Sequence, residues 1–134
     1  SQSKKTNLDE PLRFLTNAIK KRCTAFIISD FLAPDFEEAL RIASNKHDIV
    51  ALKVFDPVEQ SIPNIGLIKV SDSETGVEKW IDTSSGITRN AYENWWSDHL
   101  FLIKNIFKRC GVDSAELRTD LDYVKPLIKM FENR

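Results

Sequence analysis

"TAFIISDFLAPDFEEALRIASNKHDIVALKVF", residues 24–55, decides the fold of this chain. Its first six residues, Thr24 to Ser29, are apolar on both alternating faces, as a strand covered on both sides must be. Its last eight, Asp48 to Phe55, repeat that signature and are rich in β-branched side chains. Between them, 34–46 reads as a helix. Pro34 is tolerated in a first turn, and Asp35, Glu37 and Glu38 complement the positive end of the helix dipole. Phe36, Ala39, Leu40 and Ala43 form its apolar stripe. Strand, helix, strand in this order predicts two parallel strands joined by a crossover helix.

Outward from this unit the pattern continues. Leu8, Leu12, Leu15 and Ile19 fall on one stripe, which predicts a helix over 8–21 with Lys20, Lys21 and Arg22 at its negative end. "IGLIKVSDSETGVEKWID", 65–82, reads as two short strands with a turn at Asp72 to Gly76. The expectation is a β-hairpin over 67–82 that projects from the sheet, its tip, Ser71 to Gly76, exposed. Residues 86–110 form the longest helix, with Tyr92, Trp95, Trp96, His99, Ile103, Ile106 and Cys110 along one broad side and Gly111 as its stop. A strand at 114–119 follows. Asp122 then caps a helix over 123–132 that turns Val124, Leu127, Ile128 and Phe131 to the core. No repeat, biased segment or boundary divides residues 1–134, so the whole is expected to be one α/β domain.

Composition bounds the function. With 42% hydrophobic and 29% charged residues, the chain has the make-up of a soluble globular protein. Its net charge of −1 leaves no footprint for nucleic acid or an anionic membrane. No apolar run approaches the roughly 20 residues of a membrane span, and "SQSKKTNLDE" lacks a signal-peptide core. Cys23 and Cys110 lie in no CxxC or Cys/His cluster, so both read as reduced thiols of a cytoplasmic-type compartment rather than as zinc ligands. Neither has a nearby histidine to generate a thiolate.

Asp30 is the candidate for chemistry, because ligands of open α/β sheets bind outside the carboxyl ends of the strands. With Ser29 it reads either as a divalent-metal ligand or phosphoryl acceptor, or as a carboxylate that bonds the free amides of its own loop. Asp56 ends the next strand. There is no DxSxS run, no phosphate loop and no base beside a nucleophile. His47 falls at the amino end of its strand, opposite Asp30, and His99 packs on the long helix. Trp80, Trp95 and Trp96 read as packing groups or as a partner surface. Trp95 and Trp96 point about 100° apart on a helix, so one can pack while the other stands at the margin.

Five stretches in order carry a family resemblance: "FIISDF" at 26–31, "HDIVALKVFDPVE" at 47–59, "IPNIG" at 62–66, "DSETG" at 72–76 and "GVDSAELRTDLDYVKPLIKMF" at 111–131. The chain resembles the C-terminal half of the DUF58 family, proteins with a von Willebrand factor A-like domain. The resemblance implies a Rossmann-like three-layer sandwich, built here as a truncated parallel sheet with an inserted hairpin. It implies a non-enzymatic protein-interaction role and a MoxR-type AAA+ ATPase as partner. It places Asp30 and Ser29 at the remnant of a metal-ion-dependent adhesion site whose other loops are not in this sequence. The expectation is therefore no resident cofactor and at most a weak Mg²⁺ association, with Trp95 and Trp96 for protein contact. In the family's usual strand order residues 24–29 are the fourth strand. One side of that strand is then an open edge, and the chain is expected to form a homodimer or strand exchange through it unless residues 1–7 fold over it.

Overall fold

The apolar segments of the sequence pair side by side as one parallel sheet. The structure is a computed structural model, and it describes residues 8–71, 75–120, 122 and 124–134. In chain order the elements are α1 (Asp9–Asn17), β1 (Thr24–Ser29), α2 (Glu37–Lys46), β2 (Asp48–Phe55), a 3₁₀ turn (Pro57–Gln60), β3 (Leu67–Ser71), β4 (Glu78–Asp82), α3 (Gly86–Cys110), β5 (Asp113–Arg118) and α4 (Val124–Glu132). Residues 1–7, the turn residues 72–74 and the side chain of Val124, on each of which an expectation falls, lie outside what is described.

The sheet runs β1-β2-β5, all parallel. On one face Ala25 and Ile27 of β1 and Ile49 and Ala51 of β2 pack under Leu12 of α1, Leu40 and Ala43 of α2 and Ile103, Ile106 and Phe107 of α3. On the other, Val50, Leu52 and Leu117 meet Leu127 and Met130 of α4. Helices, sheet and helix make three layers, the α/β class read from the strand-helix-strand unit and the layered sandwich that the resemblance implies.

β1 departs from its reading. It was expected to be covered on both faces, yet Phe26 is 42% and Ile28 65% exposed. β1 is the edge strand, and α4 lies over β2 and β5, reaching β1 only where Phe131 meets Phe26 edge-on at 5.4 Å. For the same reason Ile128 and Phe131, expected in the core, stay half-exposed while Leu127 and Met130 pack.

The helices are shorter than their apolar stripes. α1 stops at Asn17, and Ile19 lies beyond it. Cations still meet its orphan carbonyls: Lys20 Nζ donates to Asn17 O at 3.1 Å and Lys46 Nζ to Thr16 O at 2.7 Å. α2 begins at Glu37, because Phe36 turns inward just before it and is 2% exposed. α3 keeps its expected bounds. The Ser85 hydroxyl accepts from Thr88 N at 3.3 Å, and Gly111 ends the helix at φ 67°, where a side chain is disfavoured.

The hairpin β3–β4 pairs only with itself. Most of its side chains are exposed, Trp80 among them at 63%, with the Lys69 ammonium 5.9 Å from its ring. Its base is held by Thr83, which is fully buried. The hydroxyl accepts from Ile65 N at 3.0 Å and donates to Gly66 O at 2.5 Å, and Arg89 Nη1 donates to Thr83 O at 2.6 Å. Thr83→Val keeps the shape and removes both side-chain bonds. It should lower unfolding free energy by about 1–3 kcal/mol, the cost of leaving buried groups unpaired. Denaturant unfolding measures the loss, and amide exchange should speed up at 65–83 before it does in β2. Uniform exchange with unchanged stability would show that Thr83 is not the clamp.

Candidate functional site at the carboxyl end of the sheet

The loop after β1 is built by its own amides. Ser29 Oγ accepts from Phe31 N at 3.1 Å, and Asp30 Oδ1 accepts from Leu32 N at 3.3 Å. Phe31 adopts φ 51°, uncommon for a bulky residue, and its ring is 2% exposed. It lies edge-on to Phe36 at 5.3 Å and to Phe107 at 5.0 Å. Asp56 does the same after β2, its carboxylate accepting from Val58 N at 3.0 Å. Hard divalent cations take six or more oxygens. Ser29 and Asp30 offer a hydroxyl and a carboxylate, both already bonded to loop amides. Among the described residues no three His, Cys, Asp or Glu side chains gather in metal-binding reach. As it stands, this loop does not fit a hard metal ion.

The register places a polar row beside that loop. Ser29, Lys53 and Glu116 are aligned neighbours on β1, β2 and β5, all on the face covered by α3. Lys53 is 3% exposed, its ammonium makes no hydrogen bond or ion pair among the described residues, and it lies 5.4 Å from the Phe55 ring. Burial holds its pKa below the ordinary lysine value, while the charges of Glu116, Asp30 and Glu59 pull it back up. Lys53 escaped notice in the sequence. The signal was there: it is the single charged residue inside the apolar run Ile49 to Phe55.

α3 closes the site from above. His99 is 7% exposed, and Trp95 stacks flat on it at 5.0 Å and 6°. Trp96 stands edge-on to Trp95 at 5.1 Å and to His99 at 6.0 Å. Trp95 is 54% exposed, whereas Trp96 is half-buried and Tyr92 donates its hydroxyl to Glu59 O. So the aromatic end of α3 covers polar loops rather than the core, because the helix overruns the three-stranded sheet. Burial and the Lys53 charge lower the His99 pKa, opposed by the Phe31 backbone and Asp30. Trp96 Nε1 and His99 Nε2 are buried without a hydrogen-bond partner.

At the opposite end of the sheet, the thiol of Cys23 does have a histidine beside it, contrary to expectation. His47 Nδ1 accepts from Cys23 N at 3.0 Å and lies 3.4 Å from the Cys23 sulfur. Its Nε2 lies 2.7 Å from Leu15 O, so Nε2–H donates there. Sequence distance hid the pair, since 24 residues of crossover separate partners that parallel pairing sets side by side. His47 is 1% exposed and both ring nitrogens are engaged, which makes it a tie between α1 and β1. Cys110 lies elsewhere, and both thiols are free.

Lys53 gives a pH prediction with a definite sign. The unfolded chain binds this proton more tightly than the folded one, so stability rises as pH climbs through the folded-state pKa and levels off above the ordinary value. Lys53→Met should flatten that alkaline rise and stabilise the protein at neutral pH by on the order of 1 kcal/mol. Urea unfolding across the alkaline range measures both. An unchanged pH profile would mean that the ammonium is solvated in the folded state.

The profile of the family described as "Protein of unknown function DUF58" matches residues 1–100. The chain belongs to the DUF58 family. The match takes in β1, β2, the hairpin and the aromatic half of α3, and stops before β5 and α4. Over 116 residues, 86% of its length, the chain is 28% identical to "Uncharacterized protein MAV169" of Mycobacterium avium, covering 68% of that protein. It is 28% identical over the same length to "Uncharacterized protein Rv1480" of Mycobacterium tuberculosis and "Uncharacterized protein Mb1516" of Mycobacterium bovis. It spans 36% of each of these two. No solved structure matches it. No helix among the described residues is long and apolar enough to cross a membrane.

Proposed function

We propose that this DUF58 chain is a non-enzymatic protein-interaction module, the C-terminal part of a von Willebrand factor A-like domain that works with a MoxR-type AAA+ ATPase. The observation that supports the reading is the exposed aromatic end of α3. Trp95 is 54% and Ile87 84% exposed, and Trp95 stacks flat on the buried His99 ring. A solvent-facing aromatic backed by a buried ring is the kind of anchor that dominates protein interfaces. The alternative, an enzyme using Asp30 as phosphoryl acceptor or metal ligand, is weakened by the carboxylate's bond to Leu32 N.

Capture of a purified MoxR-type ATPase from the same genome on the immobilised chain tests the reading. Binding should be retained in Asp30→Ala and fall at least severalfold in Trp95→Ala. Absence of capture, or labelling of Asp30 by acetyl phosphate, would overturn it. We further propose that the isolated chain pairs with a second copy through the open side of β1.

A further inference from the structure

Lys53 stands at the floor of a groove of about 180 Å³ between α3 and β5. Leu100, Lys104 and Phe107 form one wall, and Ser114 and Glu116 the other. We propose that this groove is a receptor for a carboxylate side chain of a partner protein, anchored by Lys53 and assisted by Lys104. The proposal deepens the interaction reading above and rests on it for the choice of a protein as the source.

Three facts carry it. A charged side chain that is 3% exposed is almost always paired, yet no hydrogen bond or ion pair engages the Lys53 ammonium among the described residues. Glu116, its register neighbour, is exposed and acts on Lys53 only through space, as do Asp30 and Glu59. These carboxylates oppose the downward pull of burial on the Lys53 pKa without using its three donors. Second, the groove, at about 180 Å³, has room for a carboxylate and its stem but not for a helix. Third, the second cation, Lys104, is exposed on the groove wall, where it can meet the other carboxylate oxygen. Two ammonium groups, one at the floor and one on the α3 wall, select an acidic oxygen pair over a neutral amide.

The test is a titration of the ¹⁵N-labelled chain with the peptide acetyl-Gly-Glu-Gly-amide, its Gln counterpart and inorganic phosphate at constant ionic strength. Expected are saturable shifts at the amides of Lys53, Ser114, Glu116 and Lys104 with the Glu peptide, about tenfold weaker binding of the Gln peptide, and loss of the shifts in Lys53→Met. Lys104→Gln alters an exposed residue and should weaken binding severalfold with folding intact. No saturable shift with the Glu peptide, equal binding of the Gln peptide, or undiminished shifts in Lys53→Met would overturn the assignment. Phosphate binding more tightly than the Glu peptide would assign the groove to a phosphate instead. These outcomes are independent of ATPase capture through Trp95, so either reading can fall while the other stands.

Discussion

Phe31→Ala should lower the unfolding free energy by about 3–5 kcal/mol, the usual cost of deleting a buried aromatic ring. The ring fills the junction of the loop after β1, the start of α2 and α3, edge-on to Phe36 and Phe107. Little can collapse into the space, since Leu40, Ile103 and Ile106 are themselves fully buried. A second comparison isolates the backbone. At an ordinary position glycine is roughly 0.5–1 kcal/mol worse than alanine. At φ 51° a Cβ is penalised by about 1–2 kcal/mol, so Phe31→Gly should be at least as stable as Phe31→Ala. Urea unfolding of the two variants decides this. A glycine variant clearly less stable than the alanine one would mean that residue 31 is not held in the left-handed region. Both variants should also loosen the Ser29 and Asp30 contacts, because the amides those side chains accept from belong to Phe31 and Leu32.

The isolated chain should run as a dimer at micromolar concentration. β1 lies at the end of the sheet, with one side unpaired by any described strand. Phe26 and Ile28 are exposed on it, and none of the usual guards, a lysine, a proline or a bulge, interrupts 24–29. A groove of about 580 Å³ runs along this edge, lined by Pro11, Phe14, Ala25, Phe26 and Ile27. A second β1 laid antiparallel would supply both the backbone bonds and the apolar side chains that fill such a groove. Light scattering measures the mass. Phe26→Lys with Ile28→Lys should return it to that of a monomer. A wild-type monomer whose stability survives deletion of residues 1–7 would end the edge-pairing idea. A dimer that persists in the double lysine variant would move the interface, most plainly to the aromatic face of α3.

Much of the fold was legible because it rests on local periodicity. Val50, Ala51 and Leu52 form an unbroken apolar run, and the strand read over 48–55 has the bounds of β2. Ser85 and Gly111 bracket α3 because capping is chemistry between near neighbours. The family resemblance was legible as well, since it resides in ordered short motifs. What residues 26 and 28 face was not legible. An apolar strand reads the same at an edge or in the middle, and only the order β1-β2-β5 with α4 placed over β2 and β5 decides it. Nor was the pairing of Cys23 with His47, or the row Ser29, Lys53, Glu116. Parallel register brings together residues 24 to 63 positions apart, and no spacing rule along the chain encodes it. By itself the sequence determined the elements and their kind, through side-chain periodicity and terminal caps. The tertiary structure alone decided which apolar groups stay in water and which buried cation lacks a partner. Both depend on how far each helix extends over a sheet of three strands.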